Sequence, residues 1–448
     1  MTCTEQAQEQ QENQREEQAL IAYLRQPQAI RDRTQKLFDL CCQGKLEHFS
    51  CDLSQLDAVA TYVVETTQQL YPDFDVPFHS RWRHFDAGGV DRLARLNQRL
   101  QERLLAAGAG LEIGLEMARS HIDLVIVSVL LDAGAGSQWR YQDSGADQSA
   151  GKPQTLTRSE GLAVASLRAF EQVLFSSDPN SPYRVDAEGL QQLTPEALAH
   201  AFQVSADNPL VGLSGRLQLL KQLGGVLASQ PARFGQQPAR IGNLLDNWIA
   251  RYGTTLEAST LLSEILESLG SIWPGRVMVS GVNLGDVWPH PALEQTSSDQ
   301  TSSDQTKLGN NLVPFHKLSQ WLSYSLVEPL TAAGIKVTHL NALTGLAEYR
   351  NGGLCVDLGL LMPKHAAVTS ELHLPSSPLV VEWRALTVVM LDLIGDRVRH
   401  LLNKTPEDLP LIKVLEGGTW AAGRRIAKQS RPATGAPPIT VQSDGTLF

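Results

Sequence analysis

The sequence predicts a mainly α protein with a few short strands, and three observations support this fold class. Apolar residues recur at spacings of three and four over long stretches, as in residues 210–220 and 261–269. Helix-start signals of the form Thr-Pro-Glu stand at residues 194–196 and 405–407, each with Pro at the first helical position. Strand-like runs are few, and no alternation of strands with helices indicates a dinucleotide-binding fold.

Within the chain, four segments carry the clearest predictions of single elements. Residues 381–402 predict one long helix with apolar positions along one face. Residues 124–131 form the most apolar run, which fits either a strand or a buried helix. Residues 277–282 and 334–340 favour strands.

Three further segments lie outside the predicted core. Residues 1–18 are rich in Glu and Gln and predict a disordered or frayed acidic tail. Residues 294–308 contain a tandem TSSDQ repeat without apolar residues and predict a solvated loop. Residues 432–448 contain prolines and predict an extended C-terminal tail. The remainder, residues 19–431, is predicted to form one helical domain.

Composition and charge narrow the class of protein. The chain has 448 residues, a net charge of −10 and five cysteines. An acidic chain is unsuited to non-specific binding of nucleic-acid backbones, and so few cysteines indicate a reducing compartment. The N-terminus lacks the pattern of a signal peptide, and the longest apolar run is far shorter than the roughly 20 residues of a bilayer span. We therefore expect a cytoplasmic protein with no nucleic-acid or membrane partner.

The usual signatures of metal and cofactor sites are missing from the sequence. Cys41, Cys42, His48 and Cys51 form its one Cys/His cluster, but an adjacent Cys pair lacks the ligand spacing of structural zinc. The Gly-Ala-Gly segment at 134–136 lacks the third glycine of a dinucleotide site. We predict no metal and no cofactor, and the cysteines fit a semi-buried helix.

Four polar clusters are candidates for chemistry, although each also has a structural interpretation. Residues 78–86 interleave aromatic and cationic side chains, which also suits a loop whose aromatics fill the core. Lys317 lies near a predicted helix start, where a lysine is often only solvated. Glu348 could be an ordinary first-turn acid, and the Glu-Trp-Arg at 382–384 could form a structural ion pair.

Six long motifs follow one another along nearly the whole chain. They are the segments 77–92, 208–224, 279–291, 343–361, 381–388 and 416–427. In their composition and order they resemble an uncharacterised family linked to uracil catabolism in fungi and some bacteria. This resemblance implies a role in the breakdown of uracil.

A second resemblance covers residues 82–397 and bears on the chemistry. The motif order is similar to that of the queuosine salvage proteins, N-glycosidases that hydrolyse queuosine 5′-phosphate to the free base. The corresponding segments are 82–86, 131–133, 208–220, 315–317, 347–350 and 382–384. This resemblance implies a single large helical domain akin to the helix-hairpin-helix DNA glycosylases.

The chain departs from the queuosine salvage pattern at three points, one of which is the Asn-Gly-Gly at 351–353 in place of Val-Pro-Gln. Glu348 stands where that family has its catalytic aspartate, and the glutamate side chain is one methylene longer. Small residues at 134–136 replace aromatic side chains that help to hold the large queuine base. These small residues suggest a smaller leaving group.

The resemblance also implies the roles of individual residues. Glu348 would stabilise the oxocarbenium-like state or activate water, and Asp132 or His84 would assist the departing nitrogen. Lys317, with Arg350 or Arg384, would bind a 5′-phosphate. The full predicted set has catalytic residues Glu348, Asp132 and Lys317, with His84, Trp82, Asp86, Tyr349, Arg350, Glu382 and Arg384 as substrate-binding residues.

The two resemblances together suggest the substrate. Ring opening of a pyrimidine ribotide would leave a ribosyl-urea 5′-phosphate, and its hydrolysis yields urea and ribose 5-phosphate. We expect this ribotide to be the partner of the protein. Two alternatives stay open: an amidohydrolase of the same pathway, which usually needs a metal, and a non-catalytic ribotide-binding or scaffold protein.

Overall fold

The computed structural model describes residues 3–108, 110–132, 134–144, 154–273, 277–295 and 309–442, and it confirms the mainly α fold. The helices are α1 (Cys3–Leu24), α2 (Pro27–Cys42), α3 (Leu56–Leu70), α4 (Arg81–Phe85), α5 (Arg92–Ala106), α6 (Ile113–Leu130), α7 (Arg158–Glu171), α8 (Ala187–Gln192), α9 (Pro195–Ala201), α10 (Leu213–Ser229), α11 (Pro231–Phe234), α12 (Leu244–Tyr252), α13 (Ala258–Leu269), α14 (Pro291–Gln295), α15 (Lys317–Ala332), α16 (Tyr349–Asp357), α17 (Ala367–Ser370), α18 (Pro378–Leu402), α19 (Leu411–Val414) and α20 (Trp420–Ser430).

The strands are short, and each described strand pairs with one partner only. They are β1 (Phe49–Cys51), β2 (Tyr141–Asp143), β3 (Gln154–Leu156), β4 (Thr255–Glu257), β5 (Met278–Val279), β6 (Val282–Asn283), β7 (Val287–Pro289), β8 (Leu312–Pro314), β9 (Lys336–Thr338), β10 (Leu361–Pro363), β11 (Leu372–His373) and β12 (Thr440–Val441). A π-helical turn at Leu415–Thr419 lies between α19 and α20.

The described chain divides into two compact units. The first unit comprises the described parts of Met1–His79, Leu262–Gln320 and His339–Gln442. The second unit comprises the described parts of Ser80–Leu261 and Trp321–Thr338. A single domain over residues 19–431, and its likeness to DNA glycosylases, stay predictions.

The first unit is organised around α18, which confirms the long helix predicted at 381–402. Ser377 caps its N-terminus by accepting a hydrogen bond from the Val380 backbone, and Pro378 occupies the first helical position. The helix ends at Asn403, which adopts the left-handed conformation typical of C-termini. Residues 379–391 are all buried, and the helix packs against α2, α3 and α16. Such all-round burial makes α18 the core of this unit.

Two helices of the first unit, α16 and α20, pack so closely that their backbones are in contact. A Cβ atom added at Gly423 of α20 would lie 2.1 Å from the Arg350 carbonyl oxygen in α16. Gly352 likewise faces the Trp383 ring, which leaves no room for a side chain. The glycines in these two motifs therefore permit close helix packing.

The second unit is organised around α6. Residues 122–131 are all buried, so the apolar run at 124–131 is a buried helix rather than a strand. This helix packs against α5, α7 and α10. At the contact of α8 with α10, Gly224 approaches the Ala187 carbonyl oxygen, where a Cβ atom would come within 2.8 Å.

The two strand predictions have different outcomes. Residues 334–340 contain β9, which pairs in parallel with β4 and confirms the prediction. One strand over residues 277–282 is wrong, because the chain reverses at Ser280 and Gly281. Both residues have positive φ angles, and β5 and β6 form an antiparallel hairpin around them.

The two Thr-Pro-Glu signals also differ in outcome. Thr194 caps α9 by accepting a hydrogen bond from the Ala197 backbone, as predicted. A helix starting at Thr405 is wrong, because its side chain closes a turn with Asp408 and Pro410 follows two residues later. Proline disfavours helical conformation in the residue before it, so the next helix, α19, begins only at Leu411.

The predicted tails and loop are described only in part. Residues 3–18 belong to α1, whose described side chains from 8 to 18 are almost all exposed. Residues 296–308 and 443–448 lie outside the described residues, whereas Thr440–Val441 forms β12 against β11. Within the described chain, no helix is both long enough and apolar enough to cross a bilayer.

Candidate functional site

The structure divides the predicted site residues between the two units. The first unit holds six of them: Lys317, Glu348, Tyr349, Arg350, Glu382 and Arg384. The second unit holds four: Trp82, His84, Asp86 and Asp132. Each group is described below within its own unit.

Lys317 and Glu348 form a loose ion pair in the first unit. Lys317 begins α15, and its backbone N–H donates to Asp286 Oδ2 at 3.0 Å. Glu348 precedes α16 in extended conformation and makes no capping hydrogen bond, which leaves its carboxylate available. The Lys317 Nζ atom lies 3.9 Å from Glu348 Oε2, with side chains 10% and 17% exposed. At this distance the charges attract but no direct hydrogen bond forms.

A second pair in the same unit joins His79 to Glu416. The His79 Nδ1 and Glu416 Oε2 atoms are 2.6 Å apart, and both side chains are nearly buried. Burial acts to lower the pKa of His79, but the hydrogen bond and charge of Glu416 outweigh it and raise the pKa above its usual value. The charge of Glu348 adds to the increase and that of Lys317 opposes it.

Two hydrogen bonds link Glu348 to the turn that carries Glu416. Asn351 Nδ2 donates to Glu348 Oε1 at 3.3 Å and to the Leu346 carbonyl oxygen at 3.0 Å. The Thr419 hydroxyl donates to Asn351 Oδ1 at 2.9 Å, and Thr419 lies in the same π-helical turn as Glu416. π-helical turns are frequent at functional sites. We call Lys317, Glu348, His79 and Glu416 the acid–base cluster.

Sequence reasoning assigned a role to Lys317 and Glu348 but missed His79 and Glu416. Both residues lie in motifs that carried the family resemblance, at 77–92 and 416–427. The signal was therefore present, but nothing in the spacing shows that these distant motifs meet. Contact between them depends on the packing of the π-helical turn against α3 and α16.

Arg384 is held by Asp286, a residue that the sequence did not single out. Its Nη1 and Nη2 atoms donate to the two Asp286 carboxylate oxygens at 2.8 and 2.7 Å, and its guanidinium stacks 4.0 Å from the Phe315 ring centroid. Burial acts to raise the pKa of Asp286, but Arg384 and hydrogen bonds from Trp288 and the Lys317 backbone hold it well below its usual range. The pair thus fixes the start of α15, whatever else Arg384 binds.

Two further predicted residues of the first unit are Glu382, in α18, and Tyr349, at the start of α16. Glu382 is fully buried and accepts hydrogen bonds from the backbones of Glu47 and His48 at 3.2 and 3.1 Å. Burial raises the pKa of Glu382 to about 7, and these hydrogen bonds partly offset the increase. Tyr349 stacks on Trp383 with ring centroids 6.1 Å apart. Glu382 is therefore placed to anchor the loop that leads into β1.

Arg350 points toward the C-terminal segment of the same unit. Its Nη1 atom donates to the Gly435 carbonyl oxygen at 2.8 Å. A guanidinium has five N–H donors, so this contact uses only part of what Arg350 can offer an anion.

In the second unit, Asp132 forms a close ion pair with Arg81. Arg81 Nη1 donates to Asp132 Oδ1 at 2.8 Å, and the Ser159 hydroxyl donates to Asp132 Oδ2 at 3.2 Å. Arg81 is fully buried, and its Nε atom donates to Ser128 at 2.7 Å. Burial lowers the pKa of Arg81, and the charge of Asp132 opposes this decrease. Sequence reasoning had missed Arg81 although it lies beside Trp82.

The other three predicted residues of the second unit lie on or beside α4. Trp82 Nε1 donates to the Ser325 carbonyl oxygen at 2.8 Å. His84 Nδ1 lies 3.4 Å from Arg81 Nη1. Asp86 follows the helix, and burial raises its pKa. Trp82 is nearly buried, which fits the structural interpretation of residues 78–86, in which the aromatic side chains fill the core.

The cysteine cluster lies at the end of α2 and on β1. The Cys42 and Cys51 sulfur atoms are 3.6 Å apart, and Cys41 is buried. The His48 ring instead faces His365, with Nδ1 and Nε2 separated by 3.0 Å. Among the described residues, no group of three or more His, Cys, Asp or Glu side chains is arranged to hold a metal ion.

The fold and the acid–base cluster define a mainly α protein in which a lysine, an imidazole and two carboxylates of one unit are held together away from bulk water. The chain belongs to the family described as "Protein of unknown function (DUF1688)", whose model matches residues 23–448. It is 40% identical to the protein urg3 of Schizosaccharomyces pombe over 439 residues, which cover 96% of this chain and 99% of the relative. It is 36% identical to uracil catabolism protein 4 of Lachancea kluyveri over 455 residues, with the same coverage of each chain.

Proposed function

We propose that this protein hydrolyses the N-glycosidic bond of a ribosyl 5′-phosphate in uracil breakdown and releases urea from ribosyl-urea 5′-phosphate. The name of the Lachancea kluyveri relative supports the pathway. The motifs shared with queuosine salvage N-glycosidases support the type of bond. The small residues at 134–136 support a compact leaving group.

One observation carries the proposal: the loose pairing of Glu348 with Lys317. Cleavage of an N-ribosidic bond develops positive charge on the sugar, and a nearby carboxylate stabilises that charge or deprotonates the attacking water. Glu348 is suited to this role because Asn351 orients it while Lys317, 3.9 Å away, makes no direct hydrogen bond to it.

The phosphate needs a cation that remains able to bind it. Lys317 Nζ lies near the carboxylate without a direct hydrogen bond to it, and Arg350 Nη1 donates to the Gly435 backbone carbonyl. Arg384 is already bound through two nitrogens by Asp286. We therefore favour Lys317 and Arg350 over Arg384 as phosphate ligands. The roles of Trp82, His84, Asp86 and Asp132 stay predictions.

The direct test is to incubate the purified protein with ribosyl-urea 5′-phosphate and to quantify urea and ribose 5-phosphate. We expect stoichiometric release of both. Glu348→Gln keeps the shape of the side chain but removes its charge, so kcat should fall by about 10³-fold. Glu371→Gln changes an exposed carboxylate and serves as the matched control, with wild-type kcat expected.

The products separate the proposal from its alternatives. An amidohydrolase would attack the ureido carbonyl and release ammonia instead of urea, and a strong chelator would abolish its activity if it used a metal. Binding of the ribotide without turnover would indicate a scaffold protein. Full activity of Glu348→Gln would show that the catalytic carboxylate is another residue.

A further inference from the structure

The hydrogen bond between His79 and Glu416 fixes the orientation and tautomer of a buried imidazole. A carboxylate on Nδ1 holds the Nδ1–H form and stabilises the imidazolium, so that Nε2 is the nitrogen that exchanges its proton with a partner. The 2.6 Å separation of His79 Nδ1 and Glu416 Oε2 is typical of such a charge-assisted hydrogen bond. The Tyr71 hydroxyl, 3.5 Å from the other Glu416 oxygen, helps to position the carboxylate.

The same π-helical turn ties this imidazole to the proposed catalytic carboxylate. Glu416 and Thr419 lie in that turn, and Thr419 orients Asn351, which in turn donates to Glu348. A protonatable imidazole and a carboxylate are thereby linked through hydrogen bonds and the backbone of one turn. Hydrolysis of an N-glycosidic bond needs this combination, because one group must supply a proton to the leaving nitrogen and another must accept one from water.

We propose that His79 is the general acid that protonates the departing nitrogen and that Glu416 is its positioning residue. This inference rests on the proposed function of the Glu348 site. The C1′–N bond breaks with its electron pair moving to nitrogen, which takes the proton from His79 Nε2. Water forms the new C1′–O bond and gives its proton to Glu348. Proton return from Glu348 to His79 through solvent completes the addition of one water.

The two residues first predicted for this step have less suitable contacts. Asp132 accepts hydrogen bonds from Arg81 and Ser159, so both of its carboxylate oxygens already have a fixed donor. His84 Nδ1 lies 3.4 Å from Nη1 of the same guanidinium, so the ring stands beside a cation. His79 instead has a carboxylate as its close partner.

The first test compares two leaving groups with the full-length protein. His79→Asn should lower kcat for ribosyl-urea 5′-phosphate by about 10²–10⁴-fold, the usual contribution of a general acid. With 4-nitrophenyl ribofuranoside 5-phosphate, whose phenolate departs without a proton, the loss should be about tenfold or less. Glu348→Gln should impair both substrates. His200→Asn, at an exposed position, is the control and should impair neither.

The second test uses the pH dependence of urea release, with Glu416→Gln as an isosteric variant. A general acid must be protonated, so kcat/KM should fall on the alkaline side, and loss of the Glu416 charge should move that fall to lower pH. A merely structural role would lower the rate without moving the profile.

The outcomes distinguish this inference from the proposed function. Equal losses on both substrates for His79→Asn, or an unmoved alkaline limb for Glu416→Gln, would overturn the role of His79 while the activity stands. A wild-type protein that hydrolyses neither substrate would overturn the proposed function itself.

Discussion

Two ion pairs, one in each compact unit, set a carboxylate beside a cation in different ways. In the second unit, Arg81 donates to Asp132 at 2.8 Å, and Ser159 donates to its other oxygen. In the first unit, Lys317 and Glu348 stay 3.9 Å apart, and Glu348 accepts one long hydrogen bond from Asn351. Each oxygen of Asp132 thus has a direct hydrogen-bond donor, whereas Glu348 accepts one long hydrogen bond and has its cation at a greater distance.

Under the proposed function, this difference separates a pair that serves stability from a pair that serves chemistry. A buried carboxylate with direct partners is fixed in position, which suits a structural element. A carboxylate that is oriented but not saturated can still interact with a developing positive charge. Variants of the two pairs and of the residues around them test this distinction.

Removing the cation from the Arg81–Asp132 pair should cost the most stability. Arg81→Met leaves Asp132 buried without its main partner, so the free energy of unfolding should fall by about 3–5 kcal/mol. Arg83→Met removes a pair with Glu328 whose side chains are 30% and 33% exposed, and it should cost less than about 1 kcal/mol. Denaturant unfolding of the two variants measures both changes.

A double variant then separates stability from activity at the same pair. Arg81→Met with Asp132→Leu removes both charges, so much of the lost stability should return. If this variant folds and still releases urea, Asp132 has no role in the reaction. If it folds and is inactive, the distinction between the two ion pairs fails.

The buried Glu382 should make stability depend on pH. Its pKa is about 7 in the folded protein against an ordinary value of 4.5, so the folded state binds the proton more tightly. Its contribution is complete below about pH 4.5, declines as pH rises to about 7 and is then lost, by up to about 3 kcal/mol in all. Unfolding midpoints of the wild type and Glu382→Gln across this range should diverge.

The exposed Glu371 provides the comparison for this experiment. Glu371→Gln should retain the full decline of the wild type between pH 4.5 and 7. Parallel curves for wild type and Glu382→Gln would show that Glu382 titrates normally and that its burial is relieved by solvent.

The smallest expected effect concerns the orientation of Glu348. Thr419→Val keeps the size of the side chain but removes the hydrogen bond to Asn351, at a cost of about 1 kcal/mol in stability. The freed amide should hold Glu348 less firmly, and kcat should fall by about tenfold. Thr369→Val, at an exposed position of the same unit, is the control for the change in residue type. Unchanged kcat would mean that Glu348 is held by other contacts.

The fold was predictable where local signals agreed with tertiary packing. The period of residues 381–402 and the cap at Thr194 both have local causes, and both are present in the structure. The Thr-Pro-Glu pattern at residues 405–407 predicts a helix that does not form, because Pro410 ends the segment too early. The apolar run at 124–131 could not be assigned from period alone, because a helix buried on every side shows no polar face.

The candidate site was predictable only in part, for a similar physical reason. Motif resemblance selected Lys317 and Glu348, which the structure places 3.9 Å apart. It did not select Asp286, because its contact with Arg384 spans nearly a hundred residues of sequence. Glu416 was missed for the same reason, since only folding brings the motif at 416–427 to His79.

The π-helical turn at Leu415–Thr419 has a consequence for the length of the chain at this point. Such a turn contains one residue more than an α-helical turn, so the segments on either side are out of phase with a continuous helix. Deleting one residue there would restore ordinary pitch and rotate one flank by about 100° relative to the other. Glu416 and Thr419 would then face different directions. The relative orientation of Glu416 and Thr419 therefore depends on the number of residues in this turn. A deletion there should be more damaging than many substitutions.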